Sequence, residues 1–114
     1  MPFLMIQTNQ SIEPDAADAL VAEASKTVAE TLGKPEKYVM VALEDDTKML
    51  FGGSPAPLAY LELKSIGLPE DRAPQLSEAL SAMMERAAGT PRERVYIEFS
   101  NAPRNMWGWN GGTF

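Results

Sequence analysis

The residue with the most distinctive chemistry in this chain is Pro2, which directly follows the initiator methionine. Removal of Met1, which is usual when proline follows, would leave a secondary amine that no side chain can supply. A terminal amine has a pKa near ~8, and burial or a nearby cation lowers that pKa because each disfavours the charged form. Pro2 is therefore a candidate general base at neutral pH. If Met1 is retained, the same nitrogen is an amide without basicity. Proline also begins edge strands for structural reasons alone, so both interpretations stay open at this point.

Two further stretches could contact an anion. Lys34 follows the glycine that ends the first predicted helix, where the helix dipole favours a cation without any ligand. Gly52-Gly53-Ser54 is similar to part of a phosphate-binding loop, but no Lys-Ser/Thr pair follows to complete that motif. The tail contains three large aromatic residues, Trp107, Trp109 and Phe114. They could form the apolar wall of a site, a part of the core, or an interface between subunits.

The composition of the chain excludes several classes of site. There is no cysteine and no histidine, which rules out thiolate or imidazole metal sites, cysteine nucleophiles and Ser-His triads. We expect no metal and no cofactor. The formal net charge is −6 and no long run of Lys or Arg occurs, which argues against nucleic-acid or anionic-membrane partners. No apolar segment is long enough to span a membrane, and the N-terminus lacks the basic region of a signal peptide, so we expect a cytoplasmic protein.

Hydrophobic periodicity predicts alternating strands and helices that would position these residues. Pro14 suits the first turn of a helix, and Gly33 and Gly89 each end one. The predicted elements in chain order are strand 2–8, helix 14–32, strand 38–43, strand 58–65, helix 70–88 and strand 94–99. A connector over 48–57 separates the second and third strands, and an aromatic tail follows the last one.

The chain also repeats itself at a fixed spacing. Gly33 and Pro35 correspond to Gly89 and Pro91, a shift of 56 residues, and the same shift aligns the apolar positions of the two helices. A strand, a helix and a returning strand form a crossover between parallel strands. We therefore predict an α/β (α+β) fold of two tandem β-α-β units, with a four-stranded mixed sheet and both helices on one face. A single domain would cover 1–114, with pseudo-repeats at about 2–46 and 58–102 and a tail at 103–114.

This fold leaves the second face of the sheet uncovered. Tyr38, Met40, Tyr60 and Tyr96, together with the tail aromatics, make that face too apolar to remain in water. We expect it to pack against other copies of the same chain, and a closed ring of subunits would cover it.

Taken together and in order, short motifs along nearly the whole chain carry a family resemblance. They are Met1-Pro2, Thr8-Asn9, Gly33-Lys34-Pro35, Phe51-Gly52-Gly53-Ser54, Ser65-Ile66-Gly67, Arg94-Val95-Tyr96-Ile97, Gly108-Trp109-Asn110 and Thr113-Phe114. On these residues the chain resembles the macrophage migration inhibitory factor family of the tautomerase superfamily, as a bacterial-type member. The resemblance implies a homotrimer whose sheets wrap into an open barrel, and cofactor-independent keto–enol tautomerase activity. Phenylpyruvate-type 2-oxo acids are the family's usual substrates, and dopachrome derivatives are its usual unnatural ones.

The resemblance also implies roles for individual residues. Pro2 would be the acid/base, Lys34 would bind the substrate carboxylate, and the backbone at Ser65 and Ile66 would hydrogen-bond the substrate. Tyr96 would line the site from a neighbouring subunit. The remaining substrate-binding positions that it implies are Glu98, Trp107, Trp109 and Phe114.

Four departures from the family pattern bear on function. Glu98 replaces the asparagine of the animal cytokines, and an ionised carboxylate near the amine of Pro2 would raise its pKa. Trp107 replaces a smaller aliphatic residue and would narrow the pocket mouth. Leu58-Ala59-Tyr60-Leu61 occupies the place of a Cys-x-x-Cys motif, so thiol oxidoreductase activity is excluded. Gln10-Ser11-Ile12 replaces a loop containing an arginine linked to receptor binding. The alternative to a tautomerase is a cytokine-like or small-molecule binding protein with a vestigial site.

Overall fold

The computed structural model describes all residues from 1 to 114. It contains two helices and a four-stranded sheet, with a short hairpin in the tail. In chain order the elements are β1 (Phe3–Thr8), α1 (Pro14–Leu32), β2 (Met40–Glu44), β3 (Ala59–Ile66), α2 (Ala73–Ala88), β4 (Val95–Ala102), β5 (Gly108–Trp109) and β6 (Gly112–Thr113). Neither helix is long and apolar enough to cross a membrane.

The main sheet has the strand order β2-β1-β3-β4. β1 runs parallel to β2, β3 runs parallel to β4, and the central pair β1 and β3 is antiparallel. Each parallel pair is joined through one helix, so the sheet consists of two β-α-β units placed side by side. The predicted mixed sheet of two tandem units is confirmed.

Buried and less buried residues alternate along the two central strands, and the buried ones define the face of the sheet that packs against the helices. Leu4 and Ile6 on β1 and Leu61 and Leu63 on β3 are fully buried, whereas their immediate neighbours are not. The buried residues pack in one cluster with the apolar stripes of both helices. The core therefore lies between the helices and a single face of the sheet, as expected for strands with a period of two. Exposed aromatic and charged side chains occupy the other face.

The stripe of α2 differs slightly from the prediction. The spacing of apolar residues predicts a stripe of Leu76, Leu80, either Met83 or Met84, and Ala87. In the structure Met83 and Met84 are both buried. Ala87 is exposed, and Ala88 packs partly against the core in its place. Ala88 lies four residues after Met84, so the stripe continues on the face that Met84 occupies.

Four 3₁₀ turns were not predicted, and each of them follows a proline. The turns are Glu36–Tyr38, Glu70–Arg72, Arg92–Arg94 and Arg104–Met106. Because proline has a fixed φ, it favours a tight turn in the residues that follow, even when those residues have a high β propensity. As a result Tyr38 and Arg94 lie in turns and not in the strands that were predicted to begin with them. The third strand likewise begins and ends one residue later than predicted.

The tail folds back as a two-stranded hairpin. Its two central residues, Asn110 and Gly111, have φ values of 51° and 81°. Positive φ at both positions defines the type I′ turn, for which Asn-Gly is the favoured sequence. The hairpin brings Trp109 and Phe114 together, with ring centroids 5.7 Å apart and planes inclined by 14°.

Candidate active site

A pocket of about 450 Å³ opens at the N-terminal end of β1. Its wall combines the chain terminus, the turn Glu36–Tyr38, the start of β2, one residue of β3 and the tail. The lining residues are Met1, Pro2, Phe3, Lys37, Tyr38, Val39, Met40, Lys64, Trp107, Gly108, Trp109 and Phe114. Eight of these twelve residues are hydrophobic, which makes this a suitable pocket for an aromatic ligand.

Pro2 is buried at the head of this pocket. Its carbonyl oxygen accepts a hydrogen bond of 2.9 Å from the backbone N–H of Met40, which ties the terminus to β2. Partial burial, followed by the positive charges of Lys34 and Arg104, holds the pKa of the N-terminal amine below its usual value of 8.0. This amine belongs to Met1. An amine on Pro2 would lie one residue further along the chain, where we expect the same two cations to disfavour its charged form.

Lys34 and Ile66, which the resemblance assigns to the substrate carboxylate, lie together. The Nζ atom of Lys34 donates a hydrogen bond of 2.8 Å to the carbonyl oxygen of Ile66. The C-terminal end of α1 and the end of β3 position these two groups. Ser65 is fully buried, and its hydroxyl donates a hydrogen bond of 3.2 Å to the same carbonyl. Its side chain therefore faces the core, which leaves its main chain as the part that could contact a ligand.

The three aromatic residues of the tail lie on the wall of the pocket. Trp107, Trp109 and Phe114 all line the pocket, and the backbone N–H of Phe114 donates a 3.1 Å hydrogen bond to the carbonyl of Trp107. That bond closes the tail onto itself and fixes the stacked pair of Trp109 and Phe114. Trp109 nevertheless stays 61% exposed, so the wall has an open outer side.

Tyr96 lies far from Pro2 within one subunit. It pairs in register with Tyr60, which lies opposite Gln7 near the far end of β1. Gln7 is five residues along β1 from Pro2, which corresponds to about 17 Å of extended strand. Tyr96 is 66% exposed and packs on Phe51, with ring centroids 4.6 Å apart. A contact between Tyr96 and a ligand at Pro2 would therefore need a second subunit.

Glu98 is also outside the pocket of its own chain. It lies beside Glu62 in the β3–β4 ladder, and Glu62 in turn lies opposite Met5 of β1. Burial, with smaller contributions from Glu62 and Glu98, raises the pKa of Tyr60. The uncovered face of the sheet is thus acidic near its centre, whereas the pocket at its end has no acidic side chain.

Eight residues of the pocket lining were not predicted as site residues from the sequence: Met1, Phe3, Lys37, Tyr38, Val39, Met40, Lys64 and Gly108. Tyr38 and Met40 were recognised only as part of an apolar sheet face. The proline before residues 36–38 is the signal that could have identified a turn there, since a turn directs Tyr38 toward the pocket. Lys37 lies over the ring of Tyr38, with Nζ 5.1 Å from its centroid.

Comparisons with known proteins place this geometry in one family. Residues 1–114 match the family model described as "Macrophage migration inhibitory factor (MIF)". A macrophage migration inhibitory factor homologue of Brugia malayi is 36% identical over 115 residues, covering 100% of this chain and 99% of that protein. The solved structure of a homologue from Prochlorococcus marinus has a TM-score of 0.93 at 42% identity and covers 98% of both chains. The macrophage migration inhibitory factor of Toxoplasma gondii has a TM-score of 0.92 at 38% identity, covering 98% of this chain and 99% of that one.

These relatives share the length and the fold of this chain from end to end. The more specific prediction of a bacterial-type member is not confirmed by them. The family resemblance read from the sequence motifs is confirmed, and the chain belongs to the macrophage migration inhibitory factor family.

Proposed function

We propose that this chain is a cofactor-independent keto–enol tautomerase of phenylpyruvate-type 2-oxo acids. The acid/base is the nitrogen of Pro2, which becomes an amine when Met1 is removed. One observation carries the proposal: Pro2 is buried at the head of an apolar, aromatic-walled pocket. The amine of the preceding residue, Met1, has its pKa lowered there by partial burial and by the charges of Lys34 and Arg104. Those conditions favour a neutral amine near pH 7, which a general base requires.

The reaction needs only a proton shift within the substrate. The neutral amine takes a proton from C3 of the 2-oxo acid as the C2–C3 double bond forms. The resulting ammonium gives that proton to the carbonyl oxygen, which yields the enol and restores the neutral amine. In the reverse direction the protonated amine returns a proton to C3. A single small amine can act in both directions if the substrate is held in place, because positioning removes the entropic cost of the encounter.

Substrate orientation would depend on Lys34 and Ile66, which lie together outside the pocket lining, and on the aromatic residues that line the pocket. The ammonium of Lys34, already beside the Ile66 carbonyl, would bind the carboxylate together with the Ile66 backbone. The aryl group would lie against Trp107, Trp109 and Phe114, which exclude water from the reacting carbon.

The proposal includes a homotrimer. Tyr96 is exposed and lies too far from Pro2 of its own chain to contact a ligand there, so it would serve the pocket of a neighbouring subunit. The uncovered sheet face, where Met40 is 66% exposed, would be buried in the same assembly. Light scattering tests this part, since a monomer at micromolar concentration would exclude the shared site.

The decisive experiment pairs the intact mass of the purified protein with its rate of phenylenolpyruvate ketonisation. Loss of methionine together with turnover is the expected result. Turnover with Met1 retained would overturn the role of Pro2, because an amide nitrogen is not a base. Loss of methionine without turnover would overturn the enzyme proposal and point to the effect of Glu98 or Trp107 on the site. If methionine is retained and no turnover occurs, an aminopeptidase treatment that exposes Pro2 completes the test.

The second candidate is a binding protein, cytokine-like or for a small molecule, with a vestigial site. Relatives from Xenopus tropicalis and Xenopus laevis bear the name macrophage migration inhibitory factor, which favours this candidate. Gln10 opposes the cytokine-like form, because its side chain bonds Ala88 and Thr90 within the subunit and supplies no exposed cation. A Pro2→Gly variant separates the two candidates: turnover depends on Pro2, whereas binding of a protein partner does not.

A further inference from the structure

The charge of the pocket differs from the charge of the protein as a whole. The chain carries 16 acidic and 10 basic residues, for a formal net charge of −6. The twelve residues that line the pocket nevertheless include two lysines, Lys37 and Lys64, and no aspartate or glutamate. A local reversal of charge sign at a concave apolar site concentrates anions there.

The two lysines reach the pocket from separate elements. Lys37 belongs to the turn Glu36–Tyr38, and its ammonium lies over the ring of Tyr38 at 5.1 Å. Lys64 is on β3, directly opposite Phe3 of β1, on the face of the sheet that the helices leave uncovered.

Neither lysine has an acidic partner in the subunit. The three ion pairs of the chain join arginines to glutamates on the two helices and the turn after α2. Glu36 adjoins Lys37 in sequence, and Glu62 lies two residues from Lys64 on the same face, but neither forms an ion pair with these lysines. Within the subunit, neither ammonium group is therefore held by a competing carboxylate.

The mono-acid substrate proposed above does not use these charges. Its single carboxylate is bound by Lys34, which lies outside the pocket lining and already contacts Ile66. A neighbouring subunit that brought Glu98 to the pocket would add one carboxylate, fewer than the two lysines present. Positive charge would remain beside the aryl position of the ligand.

We propose that the preferred substrate carries a second anionic group: an aryl 2-oxo acid with an acidic substituent on its ring, held by Lys37 and Lys64. This inference rests on the proposed tautomerase function. The two lysines are specificity-determining residues, because they contact a part of the substrate that does not react. Their effect falls on the KM for the diacid, whereas the proton shift at Pro2 stays the same.

The test compares two enols of equal shape and different charge, those of 4-carboxyphenylpyruvate and 4-carbamoylphenylpyruvate. With Met1 removed, we expect kcat/KM to favour the carboxylate about tenfold, the product of two partly exposed ion pairs at about threefold each. Lys37→Met and Lys64→Met should each lower that ratio about threefold, mainly through KM, and the double variant should bring it near one. Added salt should reduce the ratio in the wild type, since screening weakens exposed charge pairs.

Lys26→Met is the matched control, because Lys26 lies on α1 outside this pocket and its loss should leave the ratio unchanged. A wild-type ratio near one, or a ratio that the Lys37 and Lys64 variants do not change, would overturn the inference. In either case turnover of phenylenolpyruvate would continue and the proposed function would stand. Absence of turnover with all three enols, after Met1 removal, would instead overturn the proposed function.

Discussion

The two β-α-β units of the subunit have the same architecture, but they differ at the residue directly before their first strand. In the first unit that position is Pro2, at the head of an open pocket. In the second unit, 56 residues later, it is Leu58, which is buried. Lys34 is likewise replaced by Thr90, a fully buried residue whose hydroxyl donates a 2.5 Å hydrogen bond to Gln10.

The contrast is greatest at the residue that ends the turn before the second strand of each unit. In the first unit this is Tyr38, which lines the pocket. In the second it is Arg94, whose guanidinium lies 5.1 Å from the ring centroid of Phe51. Its N–H groups also donate to four carbonyl oxygens of the connector, those of Phe51, Ser54, Ala56 and Pro57.

The same repeated backbone thus has a different role in each unit. The second unit satisfies its polar groups internally and closes its end with the connector. The first unit leaves a chain terminus and cations around an open space. The proposed function places the chemistry where the repeat is broken, and the following variants test that division.

The largest effect is expected at the paired positions Pro2 and Leu58. Pro2→Gly should lower kcat/KM for phenylenolpyruvate at least about 100-fold, the lower end for loss of a general base, since a primary amine remains. Unfolding in urea should be nearly unchanged. Leu58→Ala should do the opposite and reduce the free energy of unfolding by about 2–5 kcal/mol through a core cavity. Equal loss of activity in both folded variants would contradict the division.

Arg94→Met should reduce the free energy of unfolding by about 2–3 kcal/mol, because four carbonyl oxygens lose a charged donor. Urea denaturation measures this change. Arg92→Met is the control, since Arg92 makes only exposed ion pairs, which solvent screens and which contribute little to stability. If the two variants were equally destabilised, the stability of the connector would not depend on the four hydrogen bonds that Arg94 donates.

Lys34→Met should raise KM about tenfold, because the substrate carboxylate loses its cation. It should also move the ascending limb of the pH–rate profile to higher pH. The active form is the neutral amine, and removal of a cation stabilises the ammonium and so raises its pKa. The equivalent change in the second unit, Thr90→Val, should cost about 1 kcal/mol of stability and leave the profile in place.

The smallest effect is expected for Arg104→Met. Arg104 lowers the pKa of the terminal amine less than Lys34 does and does not line the pocket. Its replacement should shift the ascending limb upward by less than Lys34→Met does, with KM unchanged. A full pH profile of kcat/KM checks this, and a shift to lower pH would contradict the electrostatic argument.

Much of the fold could be predicted from local chemistry and the repeat. Gly33 and Gly89 end their helices with φ values of 67° and 69°, a conformation that favours glycine. Alternation on the third strand assigned Leu61 and Leu63 to the core. These features depend on short stretches of sequence, which is why a single chain was enough to predict them.

The site was predicted less completely, because its walls come from distant segments. Lys34 and Ile66 were assigned through the family resemblance, and the structure brings them together. Lys37 and Lys64 were missed, since nothing local shows that the turn, β3 and the tail surround one space. The role of Arg94 depends on where the connector folds, which periodicity does not determine.

The hydrogen bond between Lys34 and Ile66 has a consequence for conformational entropy. A free lysine side chain loses about 1.5–2 kcal/mol of rotamer freedom when it is immobilised. In this subunit much of that loss accompanies folding, because the ammonium is held at 2.8 Å from a carbonyl before any ligand arrives. On the proposed function, an incoming carboxylate would meet a preorganised cation and add charge attraction without ordering the side chain again. The same bond joins the end of α1 in the first unit to the end of β3 in the second, so this cation is held by both halves of the subunit.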